Sequence, residues 1–277
     1  MAEGRDFSVR FWGVRGSIAC PGPDTVRYGG NTSCLEVRCG DGLLIFDAGT
    51  GLRPLGPALD KSGTVDADLF FTHTHLDHVN GLPFFSSAFV PGNRFRFSAG
   101  HLKPNHNLRE VLGLMMTPPL FPVPIDVFRA DITYHDFSAG DVLHPKPGVV
   151  LRTQPLNHPN NATGYRVEFR GKSICYVTDT EHVIGRPDAK VLDLIDRADI
   201  VIYDSTYTDE EYPRYVRWGH STWQECLRLC EAAKAKTAVI FHHDPSHDDA
   251  FMDRIAAEAA QMRPGTVVAR EGLTLTP

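Results

Sequence analysis

Over the first third of the chain, apolar and polar positions alternate in short runs with a period near two, which is the pattern of strands rather than helices. Residues 7–14 read as a strand. Residues 33–38 and 43–47 flank Cys39-Gly40-Asp41-Gly42, a turn sequence, and read as a hairpin. Residues 67–72 form an apolar run ending on a histidine cluster, so they read as a buried strand. Strands return at 149–156, 163–169, 173–178, 198–204 and 237–242. Helical segments are expected at 189–197, 222–235 and 248–262. Ser221 or Thr222 is placed to cap the second of these, with Glu225 closing a capping box. Strands and helices mixed in this order predict a layered α/β domain.

The pattern breaks between residues 91 and 147. Prolines crowd this stretch, above all in Met116-Thr117-Pro118-Pro119-Leu120-Phe121-Pro122-Val123-Pro124. A proline cannot donate to a sheet ladder, so the stretch is expected to be an insertion or lid, outside the core sheet. Met115, Met116, Leu120 and Phe121 are its candidates for an apolar wall over a cleft. No repeat or linker divides the 277 residues, so one domain over 1–277 is expected.

Composition narrows the partners. The formal net charge of −6 argues against a protein that coats extended nucleic acid, because phosphate binding leaves a basic face. A small phosphorylated substrate is still compatible. The N-terminus is polar and the apolar runs are short, so neither a signal peptide nor a membrane span is expected. The six cysteines include no CxxC pair and read as reduced thiols of a cytoplasmic protein.

The chemistry concentrates in Thr72-His73-Thr74-His75-Leu76-Asp77-His78. Residues two apart on a strand face the same way, so His73 and His75 can aim at one ion. Asp77 and His78 follow at the turn and can face a second. Imidazole and carboxylate are the donors that zinc accepts. Three later strand ends each deliver another such donor: His158 after Leu156-Asn157, Asp179 in Thr178-Asp179-Thr180, and the His242-His243 pair after Val239-Ile240-Phe241. No GxSxG element is present to supply a competing serine nucleophile.

This ordered set resembles the metallo-β-lactamase superfamily over nearly the whole chain. The resemblance implies a four-layer αββα sandwich with metals at the sheet edge, and a fold that commonly forms homodimers. It implies that His73, His75 and His158 hold one divalent ion, that Asp77, His78 and His242 hold the other, and that Asp179 bridges. His242 and His243 face opposite sides of a strand, and the family's histidine follows an apolar pair, which favours His242. The Asp47-Ala48-Gly49-Thr50-Gly51 turn resembles the family's early Asp-Gly turn; Asp47 then supports a ligand histidine, or else forms an ordinary Asx turn. Zinc is the default metal, with manganese and iron fitting the same donors.

Two further elements resemble the RNase Z-like branch: Trp218-Gly219-His220-Ser221-Thr222 and the strand ending at Asp204. By that resemblance His220 is the general acid or oxyanion stabiliser, Asp204 orients it, and Asp77 joins them in the catalytic set. The function implied is a phosphodiesterase that uses a hydroxide bridging the two metals on a small or cyclic phosphate ester. The openings Phe11-Trp12-Gly13-Val14-Arg15-Gly16-Ser17 and Tyr28-Gly29-Gly30-Asn31-Thr32-Ser33 resemble compact bacterial relatives, with Arg15 and Asn31 as candidate substrate contacts. Alternatives on the same metals are a carboxyl-ester, thioester or lactone hydrolase, a nuclease, or a non-catalytic sensor. The His220 element speaks against the ester hydrolases, and a complete ligand set speaks against the sensor.

Overall fold

The computed structural model describes residues 7–61 and 63–277. In it the first-third alternation becomes β1 (Phe7–Gly13), β2 (Cys34–Cys39), β3 (Gly42–Phe46) and β4 (Asp66–Phe71), with helix α1 (Leu52–Asp60) between the last two. The short helix α2 (Leu76–Val79) follows directly on the histidine cluster. Then come β5 (Arg94–Ala99), α3 (Leu108–Met115) and β6 (Asp131–Asp136). The second half contains β7 (Val142–Leu143), β8 (Val149–Leu156), β9 (Ala162–Phe169), β10 (Lys172–Val177), α4 (Ala189–Ile195), β11 (Ile200–Asp204), α5 (Trp223–Ala232), β12 (Thr237–Phe241) and α6 (Asp249–Met262). Two short strands close the chain, β13 (Val267–Val268) and β14 (Thr274–Leu275).

These strands form two seven-stranded sheets, ordered β14-β1-β2-β3-β4-β5-β6 and β13-β12-β11-β10-β9-β8-β7. Each is half antiparallel and half parallel. The parallel parts are β3 to β6 in one sheet and β10 to β13 in the other. Alternation assigns the faces. Leu44 and Phe46 of β3, with Ile200 and Ile202 of β11, pack between the sheets. Leu43 and Ile45 turn outward under α1 and α3, while Val201 and Tyr203 turn outward under α4, α5 and α6. The result is an αββα sandwich of four layers. Among the described residues, no helix is long and apolar enough to cross a membrane.

The 91–147 expectation needs correction. Strand β5 lies between β4 and β6 in the first sheet, and its Phe95 and Phe97 are buried. The prolines cluster between β5 and β6, and they drew attention from two regular strands on either side. Nor do the four residues expected to wall the cleft do so together. Met116 is buried in the core under the outer helices, Met115 and Phe121 pack against that core, and Leu120 is 82% exposed.

Candidate metal centre

The expected site residues gather at the carboxyl ends of the parallel strands, where open α/β sheets place their ligands. Asp47 follows β3, the His73–His78 cluster follows β4, Asp179 follows β10, Asp204 ends β11, and His242 follows β12. His158 comes from the β8–β9 turn and His220 from the segment before α5. Three of these residues leave their strands in the left-handed region: Asp47 at φ 60°, Asp179 at 57° and His242 at 64°. That conformation costs a non-glycine residue about 1–3 kcal/mol, and it persists only where surrounding contacts fix it.

The side chains form two groups joined by Asp179. His73, His75 and His158 can each place a donor atom within 4.8 Å of the others, and so can Asp77, His78, Asp179 and His242. Asp179 Oδ1 lies 3.7 Å from His73 Nε2 and 3.8 Å from His158 Nε2. Its Oδ2 lies 3.1 Å from His78 Nε2 and 3.4 Å from His242 Nε2. One carboxylate thus turns an oxygen to each group.

The donor set fits two metal ions. Each imidazole has one nitrogen engaged by the protein and the other turned into the cluster. His78 Nδ1 is 2.8 Å from Asp47 Oδ2, and His158 Nδ1 is 2.7 Å from the Gly219 carbonyl. His242 Nδ1 is 3.0 Å from Thr206 Oγ1, and His73 Nδ1 is 3.1 Å from Thr72 Oγ1. His75 is reversed: its Nε2 is 3.4 Å from Asn160 Oδ1, and its Nδ1 faces His158 Nε2 at 3.0 Å. Such outer contacts fix the tautomer and leave the inner nitrogen as a lone-pair donor. His73 Nε2 is buried with no hydrogen-bond partner, a state that a metal bond relieves.

Charge points the same way. Burial would raise Asp179, yet His242, His78 and His73 hold it well below the usual carboxylate range. Burial likewise opposes charge on His78, but the Asp179, Asp77 and Asp47 carboxylates hold it well above the usual imidazole range. At His73 burial dominates and keeps the ring neutral. A divalent ion bound among these carboxylates would take the place of the proton on His78.

His220 stands against both groups. Its ring centroid is 5.4 Å from that of His158 and 5.0 Å from that of His242. Its Nδ1 is 3.0 Å from Asp204 Oδ2. Burial works against its protonation, but Asp204 more than offsets this and the pKa is pushed up to about 9. Asp204 Oδ1 also accepts from Thr206 Oγ1 at 2.8 Å, so Thr206 connects the His220 pair to His242. His220 is also within ligand distance of His158 and Asp179.

Close packing explains two glycines. A Cβ on Gly16 would sit 2.4 Å from the His242 ring, and one on Gly219 would sit 2.5 Å from His158 Nδ1. Gly219 also holds φ +87°, which a side chain resists.

Of the pair at 242–243, only His242 enters the cluster. His243 points away, with its Nε2 2.8 Å from the Ala269 carbonyl. Asp47 is more than an Asx turn: it accepts from the Thr72 backbone N–H at 2.7 Å and the Tyr176 hydroxyl at 2.9 Å while facing His78. Arg15 and Asn31 are not placed as substrate contacts. The Arg15 side chain is fully buried, donating to the carbonyls of Gly29, Asp244 and His247, and Asn31 is taken up by Glu271. Sequence reading missed Thr72, Thr206, Tyr176, Asn160 and His182. His182 is buried beside the site, with its Nδ1 2.8 Å from Ser221 Oγ next to His220. Thr72, Thr206 and Asn160 stand one or two residues from predicted site residues, which is a usable signal; Tyr176 and His182 are farther along the chain and meet the site through the fold.

The β-lactamase superfamily domain model matches residues 43–243. Ribonuclease Z of Myxococcus xanthus is 25% identical, over 88% of this chain and 92% of that protein. The fold matches that of human tRNase Z, short form, with a TM-score of 0.66 at 21% identity, covering 97% of this chain and 98% of the other. It also matches a diphosphatase from the PhnP family, with a TM-score of 0.70 at 19% identity and 98% of each chain covered. The match to the domain model spans most of the chain and both ligand groups. The chain therefore belongs to the metallo-β-lactamase superfamily, in its RNase Z-like branch, and is a metal-dependent hydrolase.

Proposed function

We propose that this protein is a phosphodiesterase acting on a small or cyclic phosphate ester. The observation that best supports the reading is the His220–Asp204 pair, 3.0 Å apart, set against two ligand groups that share Asp179. In this reading His73, His75 and His158 hold one ion, Asp77, His78 and His242 hold the other, and Asp179 contacts both. Zinc is the assigned metal, on the borderline character of imidazole and carboxylate donors. The ions, when bound, supply Lewis acidity toward the phosphoryl oxygens and activation of water at neutral pH.

The chain's own residues do the rest. Asp204 accepts from His220 Nδ1, which fixes the ring and leaves Nε2 to carry the proton that passes to the leaving oxygen. Asp77 and Asp179 keep the floor of the site negative and hold His78 and His242 in place. Asp47 orients His78 from behind. The whole chain serves this site as one domain, and the segment between β5 and β6 borders its cleft.

The relatives named ribonuclease Z support a phosphodiester as the bond cleaved. The net charge of −6 supports a small substrate over extended nucleic acid. With defined metals, bis-p-nitrophenyl phosphate is expected to turn over well ahead of p-nitrophenyl acetate and a thioester. The reverse order would replace this reading with an ester or thioester hydrolase. A metal content at or below one ion per chain under saturating metal would remove the two-ion assignment.

A further inference from the structure

We propose that the cleft on the His75 side of the cluster is a subsite for the ester arm that stays on phosphorus, and that it takes a neutral flat ring. The proposal rests on the phosphodiesterase reading. The rings of His75, His158 and His220 follow one another across the site, at centroid spacings of 4.9 Å and 5.4 Å. The leaving oxygen belongs at the His220 end, where its proton comes from. The retained arm is equatorial in an in-line displacement, off the axis of the leaving oxygen, and the cleft beyond His75 is where we place it.

Beyond His75 opens a cleft of about 480 Å³, within the roughly 300–1,000 Å³ of small-molecule sites. Leu102, Val111 and Leu114 give it an apolar wall, and Asn160 and Asn161 of the β8–β9 turn give it amides. Leu114 is 69% exposed, so the helix α3 leaves an apolar side chain uncovered here. His101 also lines the cleft and is 8% exposed. Its Nε2 is 3.1 Å from Thr74 Oγ1, while its Nδ1 is buried without a hydrogen-bond partner.

Lys103 is the one lysine or arginine on the cleft's described lining, too few cations for a second phosphate group. Apolar walls with a few convergent polar atoms suit an uncharged ring whose face meets the aliphatic side chains and whose edge meets the amides.

The test varies the retained arm and keeps the leaving group. p-Nitrophenyl phenylphosphonate and p-nitrophenyl methylphosphonate both lose p-nitrophenolate as water adds to phosphorus, and they differ only in the group that stays. After correction for their hydroxide-catalysed rates, kcat/KM for the phenylphosphonate is expected to be about tenfold higher, the weight of a partly buried ring. Phenylphosphonate is expected to bind the metal-loaded protein tighter than methylphosphonate by a similar factor, read by calorimetry. Leu114→Asp, at an exposed helix position, and Val111→Trp, which fills the cleft, should each bring both ratios within about twofold of one. Ratios near one in the unmodified protein overturn the proposal, and so do ratios that neither substitution moves. If neither ester turns over but phenylphosphonate keeps its binding preference, the subsite stands and the phosphodiesterase reading fails.

Discussion

The two ligand groups occupy one edge of one sandwich, yet they are held differently. Asp77, His78, Asp179 and His242 are all buried, whereas in the other group His73 and the His158 side chain are buried and His75 is only partly so. The buried group has buried supports. Asp47 gathers Thr72, His78 and Tyr176, and Thr206 joins His242 to Asp204. The open group leans on the Gly219 carbonyl and on Asn160. Polar networks that are buried and satisfied are rigid, and breaking them is costly. The difference teaches a division of support: the buried group is fixed by buried partners, and the open group rests partly on partners that reach solvent.

The largest expected effect is at His220, which touches both groups without belonging to either. His220→Ala should keep both metals and lose roughly two to four orders of magnitude in turnover. Alkyl esters should suffer more than p-nitrophenyl esters, whose leaving groups need little protonation. Asp204→Asn should give a smaller loss of the same kind. Turnover and bound metal are to be measured on the same preparations. If His220→Ala strips a metal, His220 is a ligand and the division into two groups is wrong. If turnover barely changes, His220 is merely a residue of the turn leading to the helix cap at Thr222.

Next in size is stability. In metal-free protein, His242→Ala leaves the buried carboxylates of Asp77 and Asp179 with one counter-group fewer, and should cost about 3–5 kcal/mol. His75→Ala, at a partly buried position, should cost under about 1 kcal/mol. Denaturant midpoints of the two variants give the comparison directly. Equal losses would mean that the open group is as structural as the buried one.

The run of donors at strand ends was legible in the sequence, the contrast in their burial was not, and the limits are physical. His73, His75, Asp77, His78, His158, Asp179 and His242 were readable because each follows a buried run that must end at a sheet edge. Residues 200–204 and 237–241 formed strands with little ambiguity, since they are apolar and flanked by helices. The segment around β5 and β6 was misread because prolines between the strands outweighed the alternation of Phe95 and Phe97 within them. Helix α1 went unseen because Leu52–Asp60 contains Pro54, Gly56 and Pro57. Gly56 is there for packing: a Cβ would sit 2.6 Å from Ser86 Oγ. Tyr176 carries no local signal, because its importance comes from what the fold sets opposite it.

A subtler effect is expected at Asp47, which supports the buried group from outside it. Asp47→Asn keeps the size of the side chain but turns one acceptor into a donor, facing the donors of Thr72, His78 and Tyr176. Metal affinity at one of the two sites should fall about 10–100-fold, the usual weight of an outer support. Competition with a chelator of known affinity measures it. Equal weakening of both sites would show that Asp47 acts on the cluster as a whole.

The smallest effect is expected at the corresponding support of the open group, and it is the sharpest check on the contrast. Asn160 Oδ1 lies 3.4 Å from His75 Nε2, beyond the 2.7–3.2 Å of a well-formed hydrogen bond. Both partners reach solvent, so water can replace the amide at little cost. Asn160 sits at φ 63°, where alanine would add backbone strain of its own. Glycine accepts that conformation, so Asn160→Gly removes the side chain and leaves the turn at ease. Metal affinity at the open site should then fall by no more than a few-fold, well short of the Asp47→Asn loss. The same chelator competition reads both variants on one scale. A loss at Asn160 as large as that at Asp47 would mean that the open group is fixed by its supports just as the buried group is. Exposure would then no longer explain why the cleft opens on the His75 side.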